Sequence, residues 1–432
     1  MTLNKRTFFV LFTAFFCIGC VIGSIIPFSG FVFIGLLIAF VIMAITLGDR
    51  RRALALIPLV CALGVYYPFL YESFVSRSVF PENQRFIVEG RIASYPLDYG
   101  VFNRFDLTLT SGDRFNLRAN TAEDLNYGNI IGAECEVSAS SQDNRRRRTE
   151  TLICQNIKVL DRGCAGIMCP FFIARERISE NLKRNLSPSS SALALGILFG
   201  DKSGFTPQFR DSLRASGTSH IVALSGFNIT VIIVFFGYLF FFIPIKWRPV
   251  VSGIGILLFI LLVGPSASVV RSAIMGALIL ITGNAVRLID IKGPISVAAL
   301  LMVLHNPFII VYDVGFILSF SALLGIVFIA PHASQFLFGS RNPGFIKLII
   351  IQCVSASIAV APVVIIFFGS FNWLSFVPNI MIIWSVPLAM FFSFISGVIA
   401  VFSDYLAFPF SIVAEAVLSY EIWIINFFAT SF

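Results

Sequence analysis

Residues 216–230 read SGTSHIVALSGFNIT and open an apolar run that continues VIIVFFGYLFFFI. Ser219, His220, Ser225, Gly226 and Asn228 thus fall within about three helical turns. Hydroxyl, imidazole and carboxamide groups in such a run need hydrogen-bond partners that lipid does not supply, so they read as the lining of a polar passage. Gly217 and Gly226, read as breaks, would free backbone N–H groups at the start of a half-helix, a favourable place for an anion. The competing reading is an interfacial helix start capped by Ser216 or Thr218, which leaves Asn228 unexplained.

Further polar residues interrupt later apolar runs. Arg271 lies in GPSASVVRSAIMG, Asp313 in VYDVGFILSF, Ser319 and Ser321 in LSFSALLG, and Asn379 in FVPNIMIIWSVP. Arg287 and Asp290 stand at i, i+3, which sets them on one helix face. For Arg271 and Asp313 two readings stay open: a role in a pore or a structural ion pair, and a position at a helix end from which the side chain snorkels to the interface. Serines and glycines alone are more often helix-packing residues. Pro362 and Pro387 imply broken helices, which are tolerated where backbone lines a cavity.

Other chemistries lack their residues. The three histidines, His220, His305 and His332, form no H-x-H or H-E-x-x-H pattern, and no paired C-x-x-C sites occur. No G-x-x-x-x-G-K-[ST] stretch is present, and GDKSG at 200–204 has neither that spacing nor a preceding strand. The expectation is a chain with no catalytic centre, no metal site and no cofactor.

The elements that hold these residues are membrane helices. The chain has 432 residues, 57% hydrophobic and 12% charged, with 48 phenylalanines. A soluble globular chain carries about 25% charged residues. Apolar runs near the bilayer-crossing length of about 20 residues recur at 8–26, 28–47, 53–75, 220–243, 249–264, 266–283, 294–311, 314–330, 346–369, 376–402 and 407–430. The first run reads as an anchor rather than a signal peptide, because a second run follows it directly. Lys5, Arg6, Arg50, Arg51, Arg52, Lys246 and Arg248 flank the runs on sides that agree on one orientation, with the N-terminus in the cytoplasm and the segment after the third run outside.

That external segment changes period. RFIVEGRIASY, FDLTLTSGDRFNLRA, NYGNIIGAECEVSA and TETLICQNIKVL alternate with period two between turn signals. About five short strands predict a small β-barrel of the OB type, with another small β-domain as the alternative. Phe105, Leu107 and Leu109 share one face, and Phe86, Phe102, Phe105 and Phe115 are available for stacking, although most alternate as core. Cys135 and Cys154 are equidistant from a turn centred on Asn144–Arg145, so a symmetric hairpin opposes them within disulfide reach. Cys164 and Cys169 read equally as a second disulfide or as two free thiols. Arg145, Arg146, Arg147 and Arg148 form the one dense basic cluster outside; contact with nucleic-acid phosphates or lipid headgroups and a merely solvated tip are equal readings. Residues 76–162 carry 12 Lys/Arg and 12 Asp/Glu, so the domain as a whole is neutral.

GDKSGFTPQFRDSLRASGTSHIVALSGFNITVI resembles the central motif of the ComEC-type competence proteins, usually GDKSGL…LSHLLAISGLHI. GPSASVVRSAIMG resembles the family's G-x-S-P-S-V-x-R-A helix, HNPFIIVYDVGFILSFSALLGI its D-P…D-x-G-F-Q-L-S-F segment, and FFGSFNWLSFVPNIMIIWSVP its late Pro-Asn…Pro helix, in the same order. The resemblance implies a bacterial inner-membrane protein that conducts one DNA strand into the cytoplasm during natural transformation. His220, Ser225, Gly226, Arg271, Asp313, Gly315, Phe316, Ser319 and Asn379 match the family pattern. Asn228 stands where the family usually has a second histidine, and Ile317 where it has glutamine. Many members continue into a metallo-β-lactamase-like domain with an H-x-H-x-D-H motif, which this sequence lacks up to Phe432; a short-form member, a separately encoded domain and a removed domain are the three readings.

The reading is therefore an α-helical polytopic membrane protein with an external OB-like barrel. It divides into N-terminal transmembrane helices (1–75), the external β-domain (76–165), amphipathic or interfacial linker helices (166–219) and a competence-type channel domain (220–432). The implied partners are single-stranded DNA, the lipid bilayer and other competence-machinery proteins, among them a DNA receptor and a cytoplasmic helicase. A small-solute permease is the alternative, and a membrane hydrolase is disfavoured by the missing metal motif.

Overall fold

A computed structural model describes residues 5–26, 30–46, 52–74, 85–98, 102–109, 112–120, 125–137, 151–163, 168–222, 231, 243–244, 247–264, 267–281, 292–339, 344–369 and 371–430. Three helices come first: α1 (Lys5–Ile25), α2 (Gly30–Thr46) and α3 (Arg52–Phe74). α1 and α3 approach so closely that a β-carbon on Gly64 would stand 2.3 Å from the Phe16 carbonyl oxygen. Small residues allow such backbone contact, and with it the van der Waals packing that associates helices in lipid.

The next elements are the strands β1 (Phe86–Ile92), β2 (Leu97–Asp98), β3 (Asn103–Leu109), β4 (Arg114–Ala119), β5 (Ile130–Val137) and β6 (Thr151–Asp161). The hydrogen-bonded order β1-β5-β6-β4-β3, with β3 returning to β1, closes a five-stranded barrel of the OB kind and leaves the two-residue β2 as an appendage. Closure removes the sheet edges that would otherwise offer free N–H and C=O groups to another chain. The period-two pattern fills its interior with Ile92, Phe105, Leu107, Leu117, Ile131 and Leu152, all less than 2% exposed. Phe105 and Phe115 are therefore core residues rather than stacking platforms; of the four phenylalanines, Phe102 lies beneath a cation, the Arg118 guanidinium 5.4 Å from its ring centre. Cys135 pairs with Cys154 in the β5–β6 register, and the two are joined by a disulfide. Cys169 is also disulfide-bonded, with its partner outside the described residues.

The helices that follow are α4 (Cys169–Asn185), α5 (Pro188–Phe199), α6 (Pro207–Ala215), α7 (Arg248–Val263), α8 (Ala267–Ile281), α9 (Lys292–His305), α10 (Ile309–Tyr312) and α11 (Val314–Leu324). A π-helical turn, Gly325–Ile329, carries α11 into α12 (Ala330–Phe338); then come α13 (Phe345–Phe368), α14 (Phe376–Ile383), α15 (Val386–Ile399) and α16 (Asp404–Thr430). Five described segments are long and apolar enough to cross a bilayer alone: Thr7–Ile25, Leu56–Phe74, Val314–Phe338, Lys347–Phe368 and Asp404–Thr430. The protein is a multi-pass membrane protein.

Other apolar runs are shorter or broken, for local reasons. The expected span 294–311 stops at His305, because Pro307 disfavours a helical Asn306, and the buried Asn306 Oδ1 accepts from the Phe308 N–H instead. The expected span 376–402 bends by 48° between α14 and α15. Pro387 lacks the N–H that would continue the ladder. The expected span 220–243 lies almost wholly outside the described residues. α5, expected among interfacial linkers, is instead buried from Ser190 to Phe199. Its LALGILF face is too apolar for an interface and joins Val222, Val263, Val269, Ile382, Val386, Leu418 and Ile424 in one core cluster.

Candidate passage in the membrane domain

α6 ends in a Schellman turn: Gly217, at φ +69°, donates to the Arg214 carbonyl, and Thr218 donates to that of Leu213. This corrects the reading of Gly217 as the start of a half-helix. Its N–H and that of Thr218 are spent on closing α6 and offer nothing to an anion. Ser216 and Thr218 are fully buried, their hydroxyls 2.7 Å apart. The turn presses on the approach to α14. A β-carbon on Gly217 would lie 2.4 Å from the Ser375 Cβ, and Asn372 Nδ2 donates to the Ala215 carbonyl at 2.9 Å. His220 follows in this junction as an exposed residue whose imidazole hydrogen-bonds back to the Gly217 backbone. Ser225, Gly226 and Asn228 lie outside the described residues, as do Arg287, Asp290 and Arg145–Arg148.

Arg271 is buried within α8, 7% exposed, beside the equally buried Ser272 and Ala273. That burial leaves no room for a side chain snorkelling to the interface. Asp313 lies within electrostatic reach of it, yet no contact ion pair joins them. The Asp313 carboxylate is occupied locally: it caps α11, with Oδ1 accepting from the Phe316 N–H at 2.9 Å. Ser319 follows on α11, half-buried, two residues after the apolar Ile317. Asn379 sits in α14, one turn before the 48° bend, and its Oδ1 is buried without a hydrogen-bond partner among the described residues.

These residues fall into two neighbourhoods on one support. His220 and Asn379 lie beside the junction of α6 with α14, while Arg271 on α8 is within electrostatic reach of Asp313, the cap of α11. Val222, Val269 and Ile382 link the two through the shared core cluster. Among the described residues no group of three His, Cys, Asp or Glu stands close enough to hold a metal ion.

The match to known families falls on this region. The family of the description Competence protein matches residues 197–432, more than half of the chain.

The chain belongs to the competence protein family.

As a competence protein it acts in DNA uptake. The matched region begins inside α5 and takes in α6 to α16, hence every candidate from His220 to Asn379. Neither the curated proteins nor the solved structures include a match to the chain.

Two features of this competence protein escaped the sequence reading. The first is Arg175 on α4, 3% exposed. Its Nη1 donates to the Val263 carbonyl at the end of α7 at 2.7 Å, and its guanidinium lies 4.1 Å from the Tyr95 ring centre and 5.1 Å from that of Phe199. Tyr127 stacks on Phe172 at 3.8 Å, so barrel, α4 and membrane helix are clamped together. Burial raises the Tyr95 phenol pKa, and the neighbouring guanidinium opposes that shift. The second is Glu421 on α16, fully buried.

Proposed function

We propose that the chain is the cytoplasmic-membrane passage for single-stranded DNA in natural transformation, with the barrel on the outer face. The observation that carries this reading is the burial of polar groups that lipid would not satisfy, Arg271 and Asn379 foremost, within the family-matched helices and beside a broken span. Phosphates moving past Arg271 would meet a cation that no described carboxylate neutralises at contact distance. Scattered polar groups of low net charge suit conduction, because a strand has to leave each site as readily as it enters. The protein on this reading transports and does no chemistry. Its partners are the strand, the bilayer, an outer DNA receptor and a cytoplasmic helicase.

Deleting the gene in a transformable host and scoring labelled DNA tests the reading. Label should bind the cells yet fail to reach the cytoplasm, with restoration by the intact gene. Normal cytoplasmic entry in the deletion strain would refute it.

A further inference from the structure

Glu421 lies nine residues before the end of α16, about 14 Å along the axis at 1.5 Å per residue, and therefore deep within a spanning helix. Its side chain is fully buried. Oε1 stands 2.7 Å from the Ser385 hydroxyl, while Oε2 is buried with no partner among the described residues. Ser385 occupies the break between α14 and α15, and its hydroxyl also lies 2.8 Å from the Ile382 carbonyl. The preceding residue, Tyr420, donates to the Met381 carbonyl at 3.2 Å. α16 thus braces the break with two consecutive side chains.

The Ser385 hydroxyl owns one proton and has two oxygens in reach. If it donates to Glu421, a carboxylate without contact to water keeps its whole charge on a single hydrogen bond, a state that a membrane interior strongly disfavours. If Glu421 is a neutral acid, its O–H donates to Ser385 and Ser385 donates to Ile382, so every proton has an acceptor. No described neighbour offers compensation. α5, α14 and α15 carry no ionisable side chain. On α6, which packs against α16, Arg210 donates to the Lys202 carbonyl and Arg214 pairs with Asp211. On α4, Arg175 is held by Val263 and Arg184 by Asp404, and none of these charges acts on Glu421. On α16 itself Glu415 accepts from Ser187 and Ser190.

We infer that Glu421 is a proton-carrying site, neutral in this conformation and able to release its proton only when the break at Ser385 opens to water. A carboxylate there requires new partners, so proton release and opening of the α14–α15 bend are one event. The protonation state stands independently of the DNA-passage reading; its coupling to transport rests on that reading.

Infrared difference spectra of the full-length protein, wild type against Glu421→Gln, read the proton directly. The difference should contain the carbonyl band of a protonated acid; carboxylate bands in its place would overturn the site. Ser385→Ala keeps the acid and removes its partner, and should shift that band to higher frequency; an unmoved band also overturns the geometry. DNA uptake per inserted protein should fall at least tenfold in Glu421→Gln, whereas unchanged uptake would reduce the acid to a structural group and defeat the proposal. A neutral acid alongside undiminished uptake in Arg271→Ala would spare the proton site and contradict the DNA passage.

Discussion

At the scale of single residues, burial separates side chains that look alike in sequence. Arg175 shares α4 with Arg177, Lys183 and Arg184 and reads there as one more basic residue of an interfacial helix. Its contacts with Val263, Tyr95 and Phe199 arise only when the barrel, α5 and α7 converge. Arg175→Ala should cost about 1–3 kcal/mol, because it strips the Val263 carbonyl of a donor inside a buried contact. Thermal unfolding of the detergent-solubilised protein measures this, and Arg177→Ala at an exposed position should leave the transition unmoved. Arg271 and Asn379 were legible, since a polar residue stands out within an apolar run. Glu421 was not, because it lies in a run whose mean hydropathy hides one carboxyl.

At the scale of elements, period and punctuation carried most of the fold. Period-two alternation placed the barrel strands, and the equal spacing of Cys135 and Cys154 from a turn centre matches their register across β5 and β6. Replacing both with alanine should lower stability by about 2–4 kcal/mol, the loop-closure value for residues 19 apart. Unfolding of the oxidised wild type against the double variant checks this. Helix ends were less legible. Asn306–Pro307 and Ser385–Val386–Pro387 divide runs that hydropathy reads as continuous, and the role of Gly217 as a helix terminus depends on two hydrogen bonds that no window of composition contains. Gly217→Ala should destabilise the protein by at least about 1 kcal/mol, since it combines a positive φ with a collision against Ser375. Gly253→Ala on α7, where an added β-carbon meets nothing, should leave stability unchanged or raise it by up to about 1 kcal/mol.

At the scale of the whole molecule, the barrel is clamped by α4 to the helices that carry the family match, so its face of the membrane and theirs are not independent. The placement of Lys and Arg supports the proposed orientation, with the barrel outside and Arg50–Arg52 in the cytoplasm. A single cysteine at Ser140 should react with an impermeant maleimide in intact cells, and reaction only after permeabilisation would reverse the orientation. The proposed passage was the least legible level, because its candidate residues come from the turn after α6 and from α8, α11 and α14, segments far apart in sequence; α6, α8 and α14 share one core cluster, and α11 packs in another. The measurement that reaches the central claim most directly is uptake of labelled single-stranded DNA, normalised to membrane-inserted protein, in Arg271→Ala and His220→Ala. The account predicts that normalised uptake falls at least tenfold in both while protein abundance holds. Normal normalised uptake in both variants would contradict it.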